Sequence, residues 1–181
     1  MAYATIIDLI EDVFKKCGVP CLLCGGFAVN AHGYSRTTFD VDLMVPEDKY
    51  PDLCQEFQKQ GFRESYRGNI HGRFSGHLQF LMDIDLLFTD AKTFQGLLAQ
   101  ATKKKIGARF FNVISLDHLI AMKLHAIKNN PENREFKDLH DIRELIRENR
   151  IDVRGQVFKN LFLKYGTEEL YEKIITPQVK K

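Results

Sequence analysis

The chain of 181 residues is long enough for one packed domain, and a hydrophobic content of 44% is sufficient for a buried core. A formal net charge of +2 excludes the strongly basic composition of a dedicated nucleic-acid-binding chain. The first residues run directly into an amphipathic segment, with neither a secretory leader nor a long apolar span. We therefore expect a cytoplasmic protein that has no membrane partner.

The four cysteines raise the question of a zinc site. Cys21 and Cys24 have the two-residue gap that is usual for a zinc-binding pair. In an extended segment, however, residues three positions apart point to opposite faces, which keeps the two sulfurs apart. We therefore expect buried, reduced thiols and no zinc.

The first predicted elements are an amphipathic helix over 4–16 and a short apolar strand over 19–24. The strand stops at Gly25 and Gly26, and a short helix is predicted over 27–32. Glycines permit a tight turn, and the free N–H groups of a first helical turn favour anions. We therefore predict that Gly25 and Gly26 contact the phosphates of a ligand.

The next strand carries two carboxylates. Residues 38–45 alternate with period two, which places Asp40 and Asp42 on one face and apolar residues on the other. Repulsion between neighbouring carboxylates is relieved by a cation, and hard oxygen ligands suit Mg²⁺ or Mn²⁺. The pair therefore indicates a divalent metal site.

A third carboxylate comes from a strand predicted over 78–88, in which Asp83 and Asp85 share one face. Three carboxylates on adjacent strands would hold two metal ions. That arrangement clamps the attacking and leaving oxygens of an in-line displacement at phosphorus. The alternation alone does not choose between Asp83 and Asp85.

Basic residues mark two further regions of the first half. After a helix predicted over 46–60, residues 62–77 indicate a strand, a basic glycine-containing loop and a second strand. That loop is consistent with a solvated hairpin and also with a segment that lines the entrance of a nucleotide or an acceptor. Residues 90–105 are predicted to be a helix whose terminal Lys103–Lys105 suit the helix dipole, with RNA binding as the alternative. A strand over 108–114 follows.

From residue 115 onward the sequence predicts helices. Ser115 is suited to cap the first of them and Pro131 to begin the second, whose buried stripe is predicted to include Phe136. We expect an α+β fold, with a small mixed β-sheet flanked by helices over 1–114 and an α-helical part over 115–181. The later helices are predicted at 116–128, from 131, at 151–165 and at 167–175, before a frayed tail at 177–181.

Lys123 interrupts the apolar stripe of the first C-terminal helix. It lies four residues after Leu119 and four before Ile127, so its ammonium group must reach solvent or meet a partner in a cleft. The following helix carries Asp138 and Asp141 beside its own apolar stripe. A charged helix face and a partner for the lysine are both consistent with that pattern.

Several of these motifs occur together in one known superfamily. Gly25-Gly26, the segment Arg36-Thr-Thr-Phe-Asp-Val-Asp-Leu43 and Asp85-Leu-Leu87 resemble the motifs of the DNA polymerase beta-like nucleotidyltransferases. Within that superfamily, the chain looks most similar to small bacterial AbiEii-type proteins, which include nucleotidyltransferase toxins. The resemblance covers residues 18–90 well and the helical C-terminal part more weakly.

The resemblance implies roles for individual residues. Asp85 is the third ligand, because the superfamily's third aspartate is directly followed by two aliphatic residues. It joins Asp40 and Asp42 around two Mg²⁺ or Mn²⁺ ions. Arg36 and Lys123 are implied phosphate contacts, with an active-site carboxylate as the alternative partner of Lys123. In the helix after the lysine, Asp138 is favoured over Asp141 as the aspartate that positions it.

The function implied is metal-dependent transfer of a nucleoside monophosphate from a nucleoside triphosphate to an acceptor hydroxyl or phosphate, with release of pyrophosphate. RNA, a protein and a small molecule all remain open as acceptors. Two alternatives stay beside this one. The first is a regulatory module that binds Mg–NTP without transfer, and the second is one component of a toxin–antitoxin pair with an antitoxin partner.

Overall fold

The structure is a computed structural model that describes residues 3–76, 80 and 82–176. The predicted start of a strand at residue 78 and the predicted tail at 177–181 lie outside these residues. The chain forms two compact units. The first comprises Met1–Ala31 with Arg36–Ser115, and the second comprises His32–Ser35 with Leu116–Lys181.

The first unit is an α+β structure built on a seven-stranded mixed sheet with the strand order β3-β4-β5-β2-β1-β7-β6. Strand β2 is parallel to β5, and β1 is parallel to β7, whereas the other neighbours are antiparallel. The predicted fold class is confirmed. Its elements are α1 Ile6–Lys16, β1 Leu22–Leu23, α2 Gly25–Ala31, β2 Asp40–Pro46, α3 Tyr50–Lys59, β3 Arg63–Arg67, β4 His71–Ser75, β5 Asp83–Thr89, α4 Ala91–Ala99, β6 Thr102–Ile106 and β7 Arg109–Val113.

Helix α1 begins with a capping box. The Thr5 hydroxyl accepts a hydrogen bond from the Asp8 N–H at 3.2 Å, and the Asp8 carboxylate accepts one from the Thr5 N–H at 3.1 Å. The apolar face of α1 is buried, and Phe14 meets Phe57 of α3 edge to face, with ring centroids 6.3 Å apart. Local capping and apolar burial therefore both fix the start of the chain.

The register between β2 and β5 decides which side chains lie together. Asp42 is directly opposite Asp85, and Val41 is opposite Ile84. Both apolar residues are fully buried. Because side chains alternate between the two faces of a sheet, the same register gathers the aspartates on the opposite face.

One predicted helix is wrong. Residues 90–105 do not form a single helix, because α4 ends at Ala99 and Thr102–Ile106 forms the edge strand β6. A tight turn containing Gly107, with φ +61°, returns the chain so that β6 pairs with β7. Pairing with β7 outweighs the local helix propensity of the lysine run, so the helix-dipole explanation of Lys103–Lys105 is also wrong.

The second unit is helical. Its short segment His32–Ser35 is held by helix α6, Pro131–Asn149. The Asn149 side chain donates to the His32 carbonyl at 2.9 Å, and the Tyr34 hydroxyl bonds His140 Nε2 at 2.9 Å. Among the described residues, no helix combines the length and the apolar character needed to span a bilayer. The helices are α5 Leu116–Asn129, α6 Pro131–Asn149, α7 Gln156–Tyr165 and α8 Glu168–Ile175.

The predicted burial of Phe136 is wrong, because its side chain is 95% exposed. The buried face of α6 includes Asp138, Asp141 and Leu145, which follow helical spacing. Phe136 precedes Asp138 by two residues, which is about 200° around the helix axis. Leu139 and Ile142 are buried on that face as well, so the apolar stripe of α6 does face the core but does not include Phe136.

Candidate active site

Three aspartates on neighbouring strands of the first unit form the centre of the site. Asp40 and Asp42 lie on β2, and Asp85 lies on β5. Each offers one carboxylate oxygen, and these three atoms lie within 4.8 Å of one another. Asp85 is buried, whereas Asp40 and Asp42 are half-buried. Asp83 is opposite Asp40 in the register but does not belong to this group, called here the carboxylate cluster.

The glycine pair packs directly against the carboxylate cluster. Gly25 has a φ of +54°, and a Cβ atom on it would overlap the carboxylate of Asp42. The Gly26 N–H donates a hydrogen bond to Asp42 Oδ2 at 3.3 Å, and a Cβ atom there would overlap the Thr38 side chain. Thr38 in turn donates to Asp40 Oδ1 at 2.9 Å. Glycine is needed here for a close approach of the backbone to the carboxylates.

Gly25→Ala should therefore cost more stability than the same change at another left-handed glycine. Gly107 is the matched control, since its φ is +61° and nothing lies within 4 Å of an added Cβ atom. We expect Gly107→Ala to lower the free energy of unfolding by about 1–2 kcal/mol, from backbone strain alone. Overlap with Asp42 should add about 1–3 kcal/mol for Gly25→Ala. Urea unfolding of the two variants measures the difference, and equal losses would contradict the close packing.

Arg73 on β4 binds one member of the carboxylate cluster, Asp85, from the neighbouring strand. It is opposite Asp85 in the β4–β5 register, and its guanidinium group holds that carboxylate with two hydrogen bonds. Nε donates to Oδ1 at 2.7 Å, and a terminal nitrogen donates to Oδ2 at 2.6 Å. These bonds to Asp85 raise the pKa of the Arg73 guanidinium, and the negative charges of Asp83 and Asp40 add to the effect. Arg73 is therefore a permanently ionised group beside Asp85, Asp83 and Asp40.

Arg36 precedes β2 and is held by its backbone. Its N–H donates to Asn30 Oδ1 at 2.9 Å, and its carbonyl accepts from Asn30 Nδ2 at 3.0 Å. The guanidinium group donates to the Thr37 carbonyl at 3.0 Å. Asn30 of α2 thus fixes the segment that leads into the aspartate strand. The phosphate contact predicted for Arg36 stays a prediction.

Comparison with known proteins identifies the family of this chain. A family described as uncharacterised nucleotidyltransferases matches residues 1–175. The chain belongs to this family. It is accordingly a nucleotidyltransferase, within the superfamily that the aspartate and glycine motifs resemble. No curated protein matches this nucleotidyltransferase.

Solved structures share the fold of this nucleotidyltransferase. ANT(2″)-Ia in complex with adenylyl-2″-tobramycin has a TM-score of 0.70 at 18% identity, over 88% of this chain and 94% of that chain. The lincosamide antibiotic adenylyltransferase LnuA, bound to lincomycin, has a TM-score of 0.56 at 16% identity, over 75% and 91%. An antigenic nucleotidyltransferase-like protein from Paracoccidioides brasiliensis has a TM-score of 0.53 at 15% identity, over 86% and 83%. At these identities, the likeness concerns the fold.

The donor set of this nucleotidyltransferase fits a divalent cation. Three carboxylates within 4.8 Å of one another repel strongly when all are ionised, and a bound cation relieves that repulsion. All three donor atoms are hard oxygens, which suit Mg²⁺ or Mn²⁺ better than zinc. The four cysteines, all of which the structure describes, form no disulfide, and Cys24 is buried whereas the other three are half-buried.

Lys123 lies in the second unit of this nucleotidyltransferase and is 7% exposed. Its ammonium group donates to Asp138 Oδ1 at 2.7 Å and to Asp141 Oδ2 at 2.6 Å. Both aspartates therefore bind the lysine, although the resemblance favoured Asp138. The phosphate contact predicted for Lys123 stays a prediction.

Sequence reasoning missed Arg73 and the direct packing of the glycines on the aspartates. In the sequence, Arg73 is one of several basic residues over 62–77, and nothing in the local pattern distinguishes it from the others. The available signal was the strand parity of 71–75, which becomes useful only once β4 is known to pair with β5. The contact of Gly25 and Gly26 with β2 likewise depends on tertiary structure.

Proposed function

We propose that this nucleotidyltransferase moves a nucleoside monophosphate from a nucleoside triphosphate to an acceptor hydroxyl or phosphate in a metal-dependent reaction. The observation that carries the proposal is the carboxylate cluster, with three carboxylate oxygens within 4.8 Å on two parallel strands. Membership of the nucleotidyltransferase family supports the type of reaction. The cluster supplies what that reaction needs, a place where cations and phosphate oxygens can meet.

Asp40, Asp42 and Asp85 would hold the proposed two Mg²⁺ or Mn²⁺ ions through their carboxylate oxygens. When bound, such ions polarise the phosphate and lower the pKa of the acceptor hydroxyl. Gly26 keeps Asp42 in place through its N–H, and Thr38 does the same for Asp40. The residues of this chain therefore act mainly by positioning and by charge.

The proposed transfer forms one bond to the α-phosphorus and breaks another. The acceptor oxygen forms a bond to the α-phosphorus, and the bond from that phosphorus to the oxygen bridging to the β-phosphate breaks. Pyrophosphate leaves with the electron pair, and the acceptor proton passes to solvent. Gly25, Gly26, Arg36 and Lys123 are the proposed contacts for the nucleotide phosphates. The positive charges of Arg36 and Lys123 would stabilise the negative charge that develops on the leaving pyrophosphate.

The acceptor is best sought among three classes. Two structures of the same fold are described with adenylyl-2″-tobramycin and with lincomycin, which supports including small molecules with hydroxyl groups. The proposed closeness to AbiEii-type proteins supports including RNA and proteins. The same proposed closeness supports a second candidate role for this chain, as the toxin of a cytoplasmic toxin–antitoxin pair. Growth arrest on expression of the wild-type chain, relieved by Asp42→Asn, would support that role.

The deciding experiment supplies each of the four α-labelled nucleoside triphosphates with Mg²⁺ or Mn²⁺ to the protein. Parallel reactions contain total cellular RNA, cellular protein or a small-molecule extract, and a chelator is the negative control. We expect transfer of label to one fraction, and sensitivity to nuclease or protease identifies its class. Nucleotide binding without transfer in any fraction would replace the proposal with a regulatory module that binds Mg–NTP.

A further inference from the structure

We propose that Arg73 is the built-in counter-ion of the carboxylate cluster, holding Asp85 in the metal-free protein and yielding to a divalent cation when one binds. This inference rests on the proposed function, because it concerns the same three aspartates. Its consequence is that Arg73 sets how tightly the site binds metal, although the proposed ligands are Asp40, Asp42 and Asp85.

Arg73 and Asp85 form an ion pair with two hydrogen bonds. Both oxygens of Asp85 are engaged, one by Nε of Arg73 at 2.7 Å and the other by a terminal nitrogen at 2.6 Å. A cation coordinated by Asp85 would place a second positive charge a few ångströms from the guanidinium group. Like charges at so short a separation repel, and a divalent ion repels a guanidinium group about twice as strongly as a single charge does. Metal binding and the two-bond ion pair therefore oppose each other.

The difference in exposure between the partners shows which of them can move. The Arg73 side chain is 42% exposed, whereas the Asp85 side chain is 9% exposed. Asp85 lies within β5, between the neighbouring strands β4 and β2. Arg73 has a long side chain with a route into solvent, so it can turn away while Asp85 keeps its position. The arginine is therefore the displaceable partner.

The charge of the cluster explains why such a partner is needed. Asp40, Asp42 and Asp85 bring three negative charges within 4.8 Å, and Asp83 adds a fourth nearby through its effect on Arg73. Without a cation, that concentration of charge destabilises the folded sheet. One guanidinium group offsets part of the repulsion in the metal-free protein. The same positive charge then lowers the affinity of the site for a metal ion.

A titration of Mn²⁺ into nucleotide-free protein, followed by calorimetry, tests the inference without using activity. We expect Arg73→Gln to bind Mn²⁺ about tenfold more tightly than the wild type, because a competing charge has been removed. Arg73→Lys keeps the charge but loses the paired hydrogen bonds, so its affinity should lie between the two. In the absence of metal, the melting temperature of Arg73→Gln should fall, and Mn²⁺ should raise it more than it raises that of the wild type.

Arg109→Gln is the matched control. Arg109 also lies in the first unit, its side chain is 45% exposed, and it forms ion pairs with Asp8 and Glu11. None of these three residues belongs to the carboxylate cluster, so the affinity for Mn²⁺ should match that of the wild type. An equal loss of melting temperature in both variants, with the affinity for Mn²⁺ unchanged in both, would show that Arg73 merely stabilises the fold.

The remaining outcomes separate a failure of this inference from a failure of the proposed function. Unchanged or weaker binding of Mn²⁺ by Arg73→Gln would overturn the inference, and weaker binding would show instead that Arg73 orients Asp85 for the metal. If the wild type transfers nucleotide and binds Mn²⁺ but Arg73→Gln behaves like Arg109→Gln, the proposed function stands and the inference fails. If neither the wild type nor Arg73→Gln binds Mn²⁺, the metal site proposed for the aspartates fails, and the inference fails with it.

Discussion

Asp42→Asn should lower the rate of nucleotide transfer by on the order of 10³-fold, because metal polarisation of a phosphoryl group is worth several kcal/mol and each 1.4 kcal/mol is tenfold in rate. Asp42 lies at the centre of the carboxylate cluster, directly opposite Asp85 and in contact with Gly26. The amide keeps the shape of the side chain but removes its negative charge. Initial rates of transfer from the labelled nucleotide measure the effect.

Asp83→Asn is the matched control for that variant. Asp83 lies on β5 two residues before Asp85, but it does not belong to the carboxylate cluster. Its loss should change the rate less than about tenfold, through the general field of the site alone. A larger effect of Asp83→Asn than of Asp85→Asn would reassign the third carboxylate. Full activity of Asp42→Asn would remove the cluster from the mechanism.

Lys123→Met should lower the free energy of unfolding by about 3–5 kcal/mol. The side chains of Lys123, Asp138 and Asp141 are 8%, 5% and 1% exposed, and the two short hydrogen bonds of the lysine join them. Methionine fills a similar volume, so the main loss is the positive charge. Two buried carboxylates then lose the ammonium group that lies between them, and Asp138 keeps the Arg134 guanidinium group at 4.0 Å. Urea unfolding followed by circular dichroism measures the loss.

Lys128→Met provides the control, because Lys128 lies on the same helix and is exposed. Its effect should stay within about 0.5 kcal/mol. Adding Asp138→Asn and Asp141→Asn to Lys123→Met should recover part of the lost stability, since no buried charge then remains uncompensated. A loss below about 1 kcal/mol for Lys123→Met would contradict a structural ion cluster. The affinity of the variants for nucleotide then tests the predicted phosphate contact separately.

The carboxylate strand was predictable because its signal is local. Alternation over 38–45 fixes the face of Asp40 and Asp42 without any knowledge of the neighbouring strands. The position of Asp85 beside them needed a second strand with the same parity, and the resemblance to a known superfamily chose it over Asp83. Local pattern and family resemblance therefore led to the three aspartates that the structure brings together.

The features that could not be predicted depend on contacts between different secondary-structure elements. Lys103–Lys105 have good helix propensity, and only the partner strand β7 makes them a strand. The exposure of Phe136 follows from two aspartates on the buried face of α6, which compensate the charge of Lys123. Arg73 meets Asp85 because β4 lies next to β5. In each case, the deciding partner lies on another secondary-structure element.

The membership of His32–Ser35 in the second unit has a consequence for how the protein is made. This short segment emerges from the ribosome long before α6, whose Asn149 and His140 are its partners. Domains generally fold as units during synthesis, in the order in which their residues appear. The first unit is complete in the nascent chain at Ser115, whereas the second waits for its own helices while four of its residues are already exposed. A ribosome stalled far enough beyond residue 115 for Ser115 to leave the exit tunnel should therefore carry a folded sheet whose 32–35 segment is still open to proteases.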